Sequence, residues 1–275
     1  MRAFETAGTL REALAQLPRP LALVPTMGAL HRGHLSLARA ARAQNATVVA
    51  SVFVNPAQFG PGEDFERYPR DLAGDSAKLE AEGVDAIFTP AMNEMYPPGA
   101  STYVDVGELG ARFEGAARPT HFRGVTTIVT KLLHIVQPDV LYLGQKDAQQ
   151  TAVIRKMVRD LDFPARVEIV PTVREADGLA MSSRNVYLSP PERAAAPSLH
   201  ETLEAMLAEL RSGADAQTAR ERASSRLSPL AKLDYLDVVD MDTFAPLERL
   251  QPPAFVVGAV RFGNTRLLDN LLVAS

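Results

Sequence analysis

Short apolar runs alternate with stretches of helical periodicity over the first part of this 275-residue chain. Runs rich in β-branched residues predict strands at Leu21–Val24, Thr47–Val54, Asp85–Thr89, Val140–Leu143 and Val167–Val170. Between them, apolar residues at helical spacing predict helices near 34–43, 70–82, 122–136 and 147–161. Because these five strands are apolar throughout and separated by helices, we expect an α/β fold with a parallel, Rossmann-like sheet.

The pattern changes after Asp177-Gly178. Two polar, alanine-rich helices, at about 191–212 and 215–228, precede β-like runs at Tyr235–Val239 and Ala254–Val260. A turn at Gly263-Asn264 follows, before Thr265-Arg266-Leu267-Leu268. We therefore predict two domains, with the parallel sheet in residues 1–176 and a smaller α+β domain in residues 177–275.

Composition narrows the range of partners. The net charge is −4 and no stretch is concentrated in basic residues, which argues against nucleic acid as a main partner. The chain has no cysteine, which excludes disulfides and thiolate metal sites. No signal-peptide run is present at the N-terminus, and no segment approaches the roughly 20 apolar residues of a membrane span. These features predict a cytoplasmic protein that contacts no membrane.

The most informative stretch is the loop from Pro25 to His34, which reads Pro-Thr-Met-Gly-Ala-Leu-His-Arg-Gly-His. It joins a predicted strand to a predicted helix, where unpaired first-turn amides and the helix dipole favour a phosphate. His31 and His34 add donors that could stabilise charge on a transferring phosphoryl group. Helix capping is the structural alternative for these histidines. A zinc site is a weaker alternative, because no nearby acidic residue or cysteine completes the ligands.

Other polar loops follow the remaining strands at the same predicted sheet edge. Lys146 offers an ammonium group, and Met181–Arg184 resembles an anion clamp at the start of the second domain. The amides of Gln58 and Gln150 suit a substrate with hydroxyl and carboxylate groups. No catalytic triad, nucleophilic cysteine or carboxylate pair is apparent. The pattern therefore predicts a phosphate site that acts by positioning and charge stabilisation, as nucleotidyl transfer requires.

Several motifs, in order along the chain, resemble the pantoate–β-alanine ligases (pantothenate synthetases) of the His-x-Gly-His nucleotidyltransferase superfamily. These stretches are Pro25–Leu37, Phe53–Phe59, Glu63–Arg70, Arg118–Val125, Gly144–Gln150 and Pro171–Leu188. Gln145 departs from the family, whose loops often carry glutamate there. The resemblance implies ATP-dependent condensation of (R)-pantoate with β-alanine through a pantoyl adenylate, releasing AMP and pyrophosphate. Alternatives are another nucleotidyltransferase of the superfamily or a non-enzymatic nucleotide-sensing module.

The resemblance also implies roles for individual residues. Catalytic roles fall to His34 as proton donor, His31, Lys146 and Arg184. ATP-binding roles fall to Met27, Gly28, Ala29, Leu30, His31, Arg32, Gly33, His34, Gly144, Gln145, Lys146, Asp147, Val173, Met181, Ser182, Ser183 and Arg184. Substrate-binding roles fall to Gln58 for pantoate and β-alanine, Gln150 for pantoate, and Asn55 as support for that pocket. Mg²⁺ is implied mainly through the ATP phosphates, and the assembly is implied as a homodimer. From its position past Asp177-Gly178, we also predict that the second domain acts as a mobile lid.

Overall fold

The structure is a computed structural model that describes residues 1–274. The chain packs into two compact units. The first contains residues 1–144 and 153–170, and the second contains residues 145–152 and those from 171 onward. Segment 145–152 thus groups with the C-terminal residues. A division of the chain at one boundary, after residue 176, does not include this grouping. The domain bounds 1–176 and 177–275, and the lid role of the second domain, stay predictions.

A six-stranded parallel sheet forms the centre of the first unit. Its order is β1-β4-β3-β2-β5-β6, and every neighbouring pair is parallel. The predicted α/β fold with a Rossmann-like parallel sheet is therefore confirmed. The strand order reverses between β2 and β5, and ligands of open α/β sheets bind beyond the carboxyl ends of the strands at such a point. The strands are β1 (Arg2–Phe4), β2 (Leu21–Thr26), β3 (Thr47–Val52), β4 (Ala86–Phe88), β5 (Val140–Gly144) and β6 (Arg166–Val170).

The edge strand β1 lies outside the five-strand pattern that the sequence predicts. It has three residues, and only Phe4 is buried, so it displays neither an apolar run nor an alternation. It is held by parallel pairing with β4, from Arg2 opposite Ala86 to Phe4 opposite Phe88. The prediction of five strands was wrong by this one strand, because its stability comes from a partner distant in sequence.

Helix packing on this sheet is clearest at α2 (Arg32–Gln44). Helix α2 buries Leu37, Ala38 and Ala41 in a cluster with Val24 and Val48 of the strands beneath it. The longest helix, α6, has 16 residues, and no helix within residues 1–274 has the length and apolar character to cross a membrane. The helices of the first unit are α1 (Ala7–Leu14), α2 (Arg32–Gln44), α3 (Leu72–Ala81), α4 (Met92–Met95), α5 (Glu114–Ala117), α6 (His121–Val136) and α7 (Ala148–Asp160), whose first turn groups with the second unit.

The second unit contains a three-stranded antiparallel sheet, in the order β7-β8-β9, packed against helices. The predicted hairpin turn at Gly263-Asn264 joins β8 to β9. The prediction of one helix over 191–212 was wrong, because Pro197 separates α8 from α9 and lacks the N–H that a continuous helix requires. The elements are α8 (Pro190–Ala195), α9 (Ser198–Arg211), α10 (Ala216–Ser224), β7 (Ala231–Asp240), β8 (Ala254–Phe262) and β9 (Thr265–Val273).

Candidate functional site

The loop after β2 places two histidine rings side by side, with centroids 4.1 Å apart. His31 is the N-cap of α2, and His34 lies in its first turn. Nδ1 of His31 accepts a hydrogen bond from the Gly33 N–H at 3.1 Å, and Nδ1 of His34 accepts one from the His31 N–H at 3.4 Å. Because a backbone N–H can only donate, each neutral ring carries its proton on Nε2. The histidines therefore cap the helix and also provide N–H donors.

The backbone amides of this loop already have partners inside the protein. The Ala29 and Leu30 N–H groups each donate to Asp75 at 2.8 Å, and the Gly28 N–H donates to Thr26 Oγ1 at 3.3 Å. The His34 N–H donates to the His31 carbonyl at 2.9 Å. The sequence predicted unpaired amides in the first turn of α2, and this prediction was wrong for Gly33 and His34, whose N–H groups both have partners. The imidazole rings of His31 and His34 add side-chain donors at the start of α2.

Asp75, on α3, holds the histidine loop in its conformation. Its carboxylate is buried, and Lys78 one turn later donates to the Leu30 carbonyl at 2.9 Å. The loop adopts positive φ at Gly28 (89°) and Ala29 (52°). A Cβ at residue 28 would lie 3.0 Å from Asp75 Oδ2, so glycine is required there for both conformation and space. No sequence pattern pointed to Asp75, which lies 46 residues beyond Ala29.

The loop after β3 meets the histidine loop at Gln58, whose Nε2 lies 3.2 Å from Met27 Sδ. The predicted approach of these two loops is thus present within the first unit. Asn55 caps the 3₁₀ turn Pro56–Gln58 and is 1% exposed. All four of its side-chain hydrogen-bonding positions are used within the protein. Asn55 therefore supports the position of Gln58 and has no amide position left for a substrate.

A second network holds the backbone of Gln58. Its carbonyl accepts hydrogen bonds from His121 Nδ1 at 2.8 Å and from Arg118 Nη2 at 3.1 Å. Arg118 also forms a bidentate pair with Glu63, at 2.8 and 2.5 Å. A carbonyl can only accept, so His121 carries its proton on Nδ1 and its Nε2 accepts from Arg118 Nη1 at 3.2 Å. Burial, then the charge of Arg118, lowers the pKa of His121 to about 4, which keeps the ring neutral.

Because of His121, we expect the free energy of unfolding to decrease as the pH is lowered. Its pKa is about 4 when folded, against an ordinary value of 6.5, so below about pH 6.5 the unfolded chain binds a proton that the folded chain does not. The contribution is fully present above that pH and is lost as pH falls toward 4, amounting to about 2 kcal/mol between pH 7 and pH 5. Urea unfolding at a series of pH values measures it.

His121→Asn keeps a donor toward the Gln58 carbonyl and removes the titration, so its stability should depend less on pH over this range. His134→Asn is the matched control, because His134 is exposed in the last turn of the same helix. Equal pH dependence in His121→Asn and the unmodified protein would contradict the assignment.

In the second unit, three residues of the predicted phosphate site line one cavity: Lys146, Ser182 and Arg184. Ser182 also caps the 3₁₀ turn Ser183–Tyr187, since its Oγ accepts from the Arg184 N–H at 3.2 Å. The capping role and the predicted anion-clamp role are therefore compatible. His200, Arg266 and Asp269 line the same cavity and were not found from the sequence, because they lie on α9 and β9, far from any motif.

Asn270 of β9 explains the glutamine at position 145. Its Nδ2 donates to the carbonyls of Gln145 and Lys146, both at 2.9 Å, and its Oδ1 accepts from Gln145 Nε2 at 3.1 Å. A glutamate carboxylate has no N–H for that last bond. Beside it, Arg174 pairs with the buried Asp269 at 2.6 and 2.9 Å. Burial raises the pKa of Asp269, but the side chains of His200 and Arg174 together lower it by more, so the pKa lies below its ordinary value.

The remaining predicted residues take ordinary positions in these elements. Arg32 begins α2, Gly144 ends β5, Gln150 lies in α7, and the Val173 carbonyl accepts from the Met181 N–H at 3.0 Å. Asp147 lies 3.3 Å from Lys146 Nζ. In the part of the chain that is described, no group of three or more histidine, aspartate or glutamate side chains could hold a metal ion. The zinc alternative for the histidine loop therefore lacks further ligands.

The parallel sheet defines an α/β protein of the Rossmann-like class. Its candidate site contains the paired imidazoles in the loop after β2. A family model described as pantoate-beta-alanine ligase matches residues 2–272. The chain belongs to this family and is a ligase of the pantothenate-forming type. It is 53% identical to the pantothenate synthetase of Roseiflexus castenholzii, over 99% of each chain, and 52% identical to that of Agrobacterium fabrum, over 99% of this chain and 96% of the other.

Solved structures agree with this membership. A pantoate-β-alanine ligase (pantothenate synthetase) structure from Thermus thermophilus superposes with a TM-score of 0.95 at 50% identity, covering 100% of both chains. One from Francisella tularensis, complexed with β,γ ATP and β-alanine, superposes with a TM-score of 0.78 at 31% identity, over 99% of this chain and 97% of that one.

Proposed function

We propose that this chain joins (R)-pantoate to β-alanine in an ATP-dependent reaction of two steps. In the first, a pantoate carboxylate oxygen attacks the α-phosphorus of ATP, and pyrophosphate leaves. In the second, the β-alanine amine attacks the acyl carbon of the pantoyl adenylate, and AMP leaves with that oxygen. Family membership and the ATP and β-alanine bound by the Francisella tularensis relative support this reaction. The observation that carries it is the pair of imidazole Nε2–H donors at the start of α2.

His31 and His34 would serve the first step by donating to phosphate oxygens as charge develops on them. Such donors act strongly when they are already oriented, because no reorganisation is needed as the charge forms. Here the backbone bonds to both Nδ1 atoms fix the tautomer and orient the rings. The residues from Met27 to Gly33 would line the same part of the ATP site, with His34 as the proton donor.

Residues of the second unit would also bind ATP, through cations and hydroxyl groups. Lys146, Ser182 and Arg184 line one cavity, which supports a common role toward the phosphates, or toward pantoate in the case of Lys146. The nucleoside would be held by Gly144, Gln145, Asp147 and Val173, and the clamp would be completed by Met181 and Ser183.

Gln58 and Gln150 would bind pantoate through neutral amides, with Gln58 also reaching β-alanine. We expect Gln58→Ala and Gln150→Ala each to lower kcat/KM for pantoate about 5- to 150-fold, because an unpaired substrate group costs about 1–3 kcal/mol. The KM for ATP should change little. Steady-state kinetics with each substrate varied in turn measures this. Gln44→Ala, at the exposed end of α2, is the control, and a loss confined to ATP would show that the roles are reversed.

Mg²⁺ would enter this site with ATP. We expect the cation to be held mainly by phosphates and water, as Mg²⁺ commonly is. Bound in that way, the ion would neutralise phosphate charge. A homodimeric assembly, which the family resemblance implies, and a cytoplasmic location, which the sequence features predict, are further proposals.

Oxygen-18 in the pantoate carboxylate tests the two-step reaction directly. Attack by the carboxylate on the α-phosphorus transfers one labelled oxygen to AMP, which mass spectrometry detects. AMP without label would contradict the acyl adenylate. Labelled AMP would also argue against another nucleotidyltransferase, which would activate a phosphate, and against a nucleotide sensor, which would release no AMP.

A further inference from the structure

The side-chain amide of Asn55 is oriented by two backbone groups. Oδ1 accepts from the Ala57 N–H at 3.3 Å, and Nδ2 donates to the Gly124 carbonyl at 3.1 Å. Since a backbone N–H only donates and a carbonyl only accepts, these partners decide which end of the amide is oxygen and which is nitrogen. Gly124 can approach this closely only as glycine, because a Cβ there would lie 2.2 Å from the Ala57 carbonyl oxygen.

Tyr96 and Gln58 occupy the two remaining positions on this amide. The Tyr96 hydroxyl donates to Asn55 Oδ1 at 2.7 Å, which is the shorter of the two bonds to that oxygen. Burial, with a contribution from Tyr103, raises the pKa of Tyr96 to about 12 and keeps this donor protonated. Asn55 Nδ2 gives its second hydrogen to Gln58 Oε1 at 3.0 Å.

The polarity of the Gln58 amide follows from this chain of bonds. Its oxygen accepts from Asn55, so its NH₂ group points away from Asn55. The partner of that NH₂ group is Met27 Sδ at 3.2 Å, and a thioether is a weak acceptor. A carboxylate or hydroxyl oxygen would be a stronger partner in the same place.

We propose that Tyr96 is a positioning residue that acts through Asn55 to fix the Gln58 amide with its NH₂ group toward substrate. Gln58 then recognises an acceptor oxygen of pantoate or β-alanine and rejects a donor at that point. This proposal rests on the proposed role of Gln58 as a substrate contact. Without the Tyr96 hydroxyl, the oxygen of Asn55 keeps only its longer bond, and the two amides lose their fixed orientation.

Tyr96→Phe tests the first link. Phenylalanine keeps the ring near Phe53, whose centroid is 6.4 Å away, and under Lys131 Nζ at 6.0 Å. We expect kcat/KM for pantoate to fall about 3- to 10-fold, the effect of one neutral hydrogen bond, with the KM for ATP unchanged. Tyr142→Phe is the matched control, because Tyr142 is a buried tyrosine that accepts from Asn45 Nδ2 at 2.9 Å in the same unit.

A double-mutant cycle separates positioning from a general structural effect. In the Gln58→Ala background, Tyr96→Phe should cause no further loss in pantoate use, because no amide remains to be oriented. An equal loss in both backgrounds would overturn the proposal and assign Tyr96 a structural role. Full pantoate use by Tyr96→Phe, with Gln58→Ala impaired, would also overturn it while leaving the role of Gln58 intact. If Gln58→Ala itself has no effect, the proposed role of Gln58 fails, and the positioning role fails with it.

Gln58→Glu tests the polarity. Glutamate keeps an oxygen for Asn55 but presents oxygen in place of the NH₂ group, so we expect it to impair pantoate use at least as much as Gln58→Ala. Pantoate use better than that of Gln58→Ala would mean that Gln58 accepts a hydrogen bond from substrate, and would overturn the assigned orientation. Thermal unfolding of each variant verifies that the fold is retained.

Discussion

His34→Ala is expected to slow formation of the pantoyl adenylate about 10²- to 10³-fold, the usual loss on removal of one oriented donor to developing charge. The His34 ring provides an Nε2–H donor because its Nδ1 accepts from the His31 N–H. The fold should persist, because His34 lies in the first turn of α2 and is not part of the apolar cluster beneath that helix. Single-turnover measurement of adenylate formation gives the rate.

The bond from the His31 N–H means that His34 also has a capping role, which alanine would remove as well. His34→Asn separates the two roles, because an asparagine oxygen can accept from that N–H while no donor is left at the position of Nε2. We expect His34→Asn to be nearly as slow as His34→Ala. Recovery of the full rate in His34→Asn would show that the histidine acts through helix capping alone.

Asp75→Asn is expected to have the second largest effect, because it disturbs the loop that carries both histidines. The buried carboxylate accepts from two backbone N–H groups at 2.8 Å, and hydrogen bonds to a charged group contribute about 1.5–3 kcal/mol each. Asparagine can accept only at its oxygen, so one of the two N–H groups would face an NH₂ group. We expect the free energy of unfolding to fall by about 2 kcal/mol and the adenylation rate to fall about 10²-fold, as a shift of about 1 Å can cause.

Asp71→Asn is the matched control for this variant. Asp71 caps the same helix, α3, by accepting from the Gly74 N–H at 3.0 Å, and it is exposed. Asparagine caps helices about as well as aspartate, so this variant should keep both stability and rate. Urea unfolding and single-turnover kinetics measure the two effects. A normal adenylation rate in a folded Asp75→Asn protein would contradict the role assigned to Asp75.

The strands that form the sheet centre were predictable because they are buried on both faces and therefore read as apolar runs. The edge strand β1 was not, because only Phe4 is buried and its pairing partner is more than 80 residues away. The histidine loop was recognisable as a motif, but the hydrogen-bond partners of its backbone N–H groups were not predictable. The carboxylate of Asp75 that occupies those amides lies on a helix that no local pattern connects with the loop.

The supporting residues of Gln58 illustrate the same limit. Gln58 stands in a recognisable motif. Tyr96, which follows α4, bonds to its neighbour Asn55, and His121 of α6 bonds to the Gln58 carbonyl, both after long intervening segments. Hydrogen-bond partners of this kind carry no periodicity and no fixed spacing, so only the folded chain brings them together. The resemblance to the family predicts which residues contact the substrates, and the structure adds how the side chains within each unit are held.

In the proposed reaction, pantoate is activated with ATP before β-alanine reacts. Exchange of labelled pyrophosphate into ATP, measured without β-alanine, isolates that first step. We predict rapid exchange that requires pantoate and is reduced about 10²- to 10³-fold in His34→Ala. Exchange that proceeds equally without pantoate, or no exchange with pantoate in a protein that binds ATP, would contradict activation of pantoate as the first step.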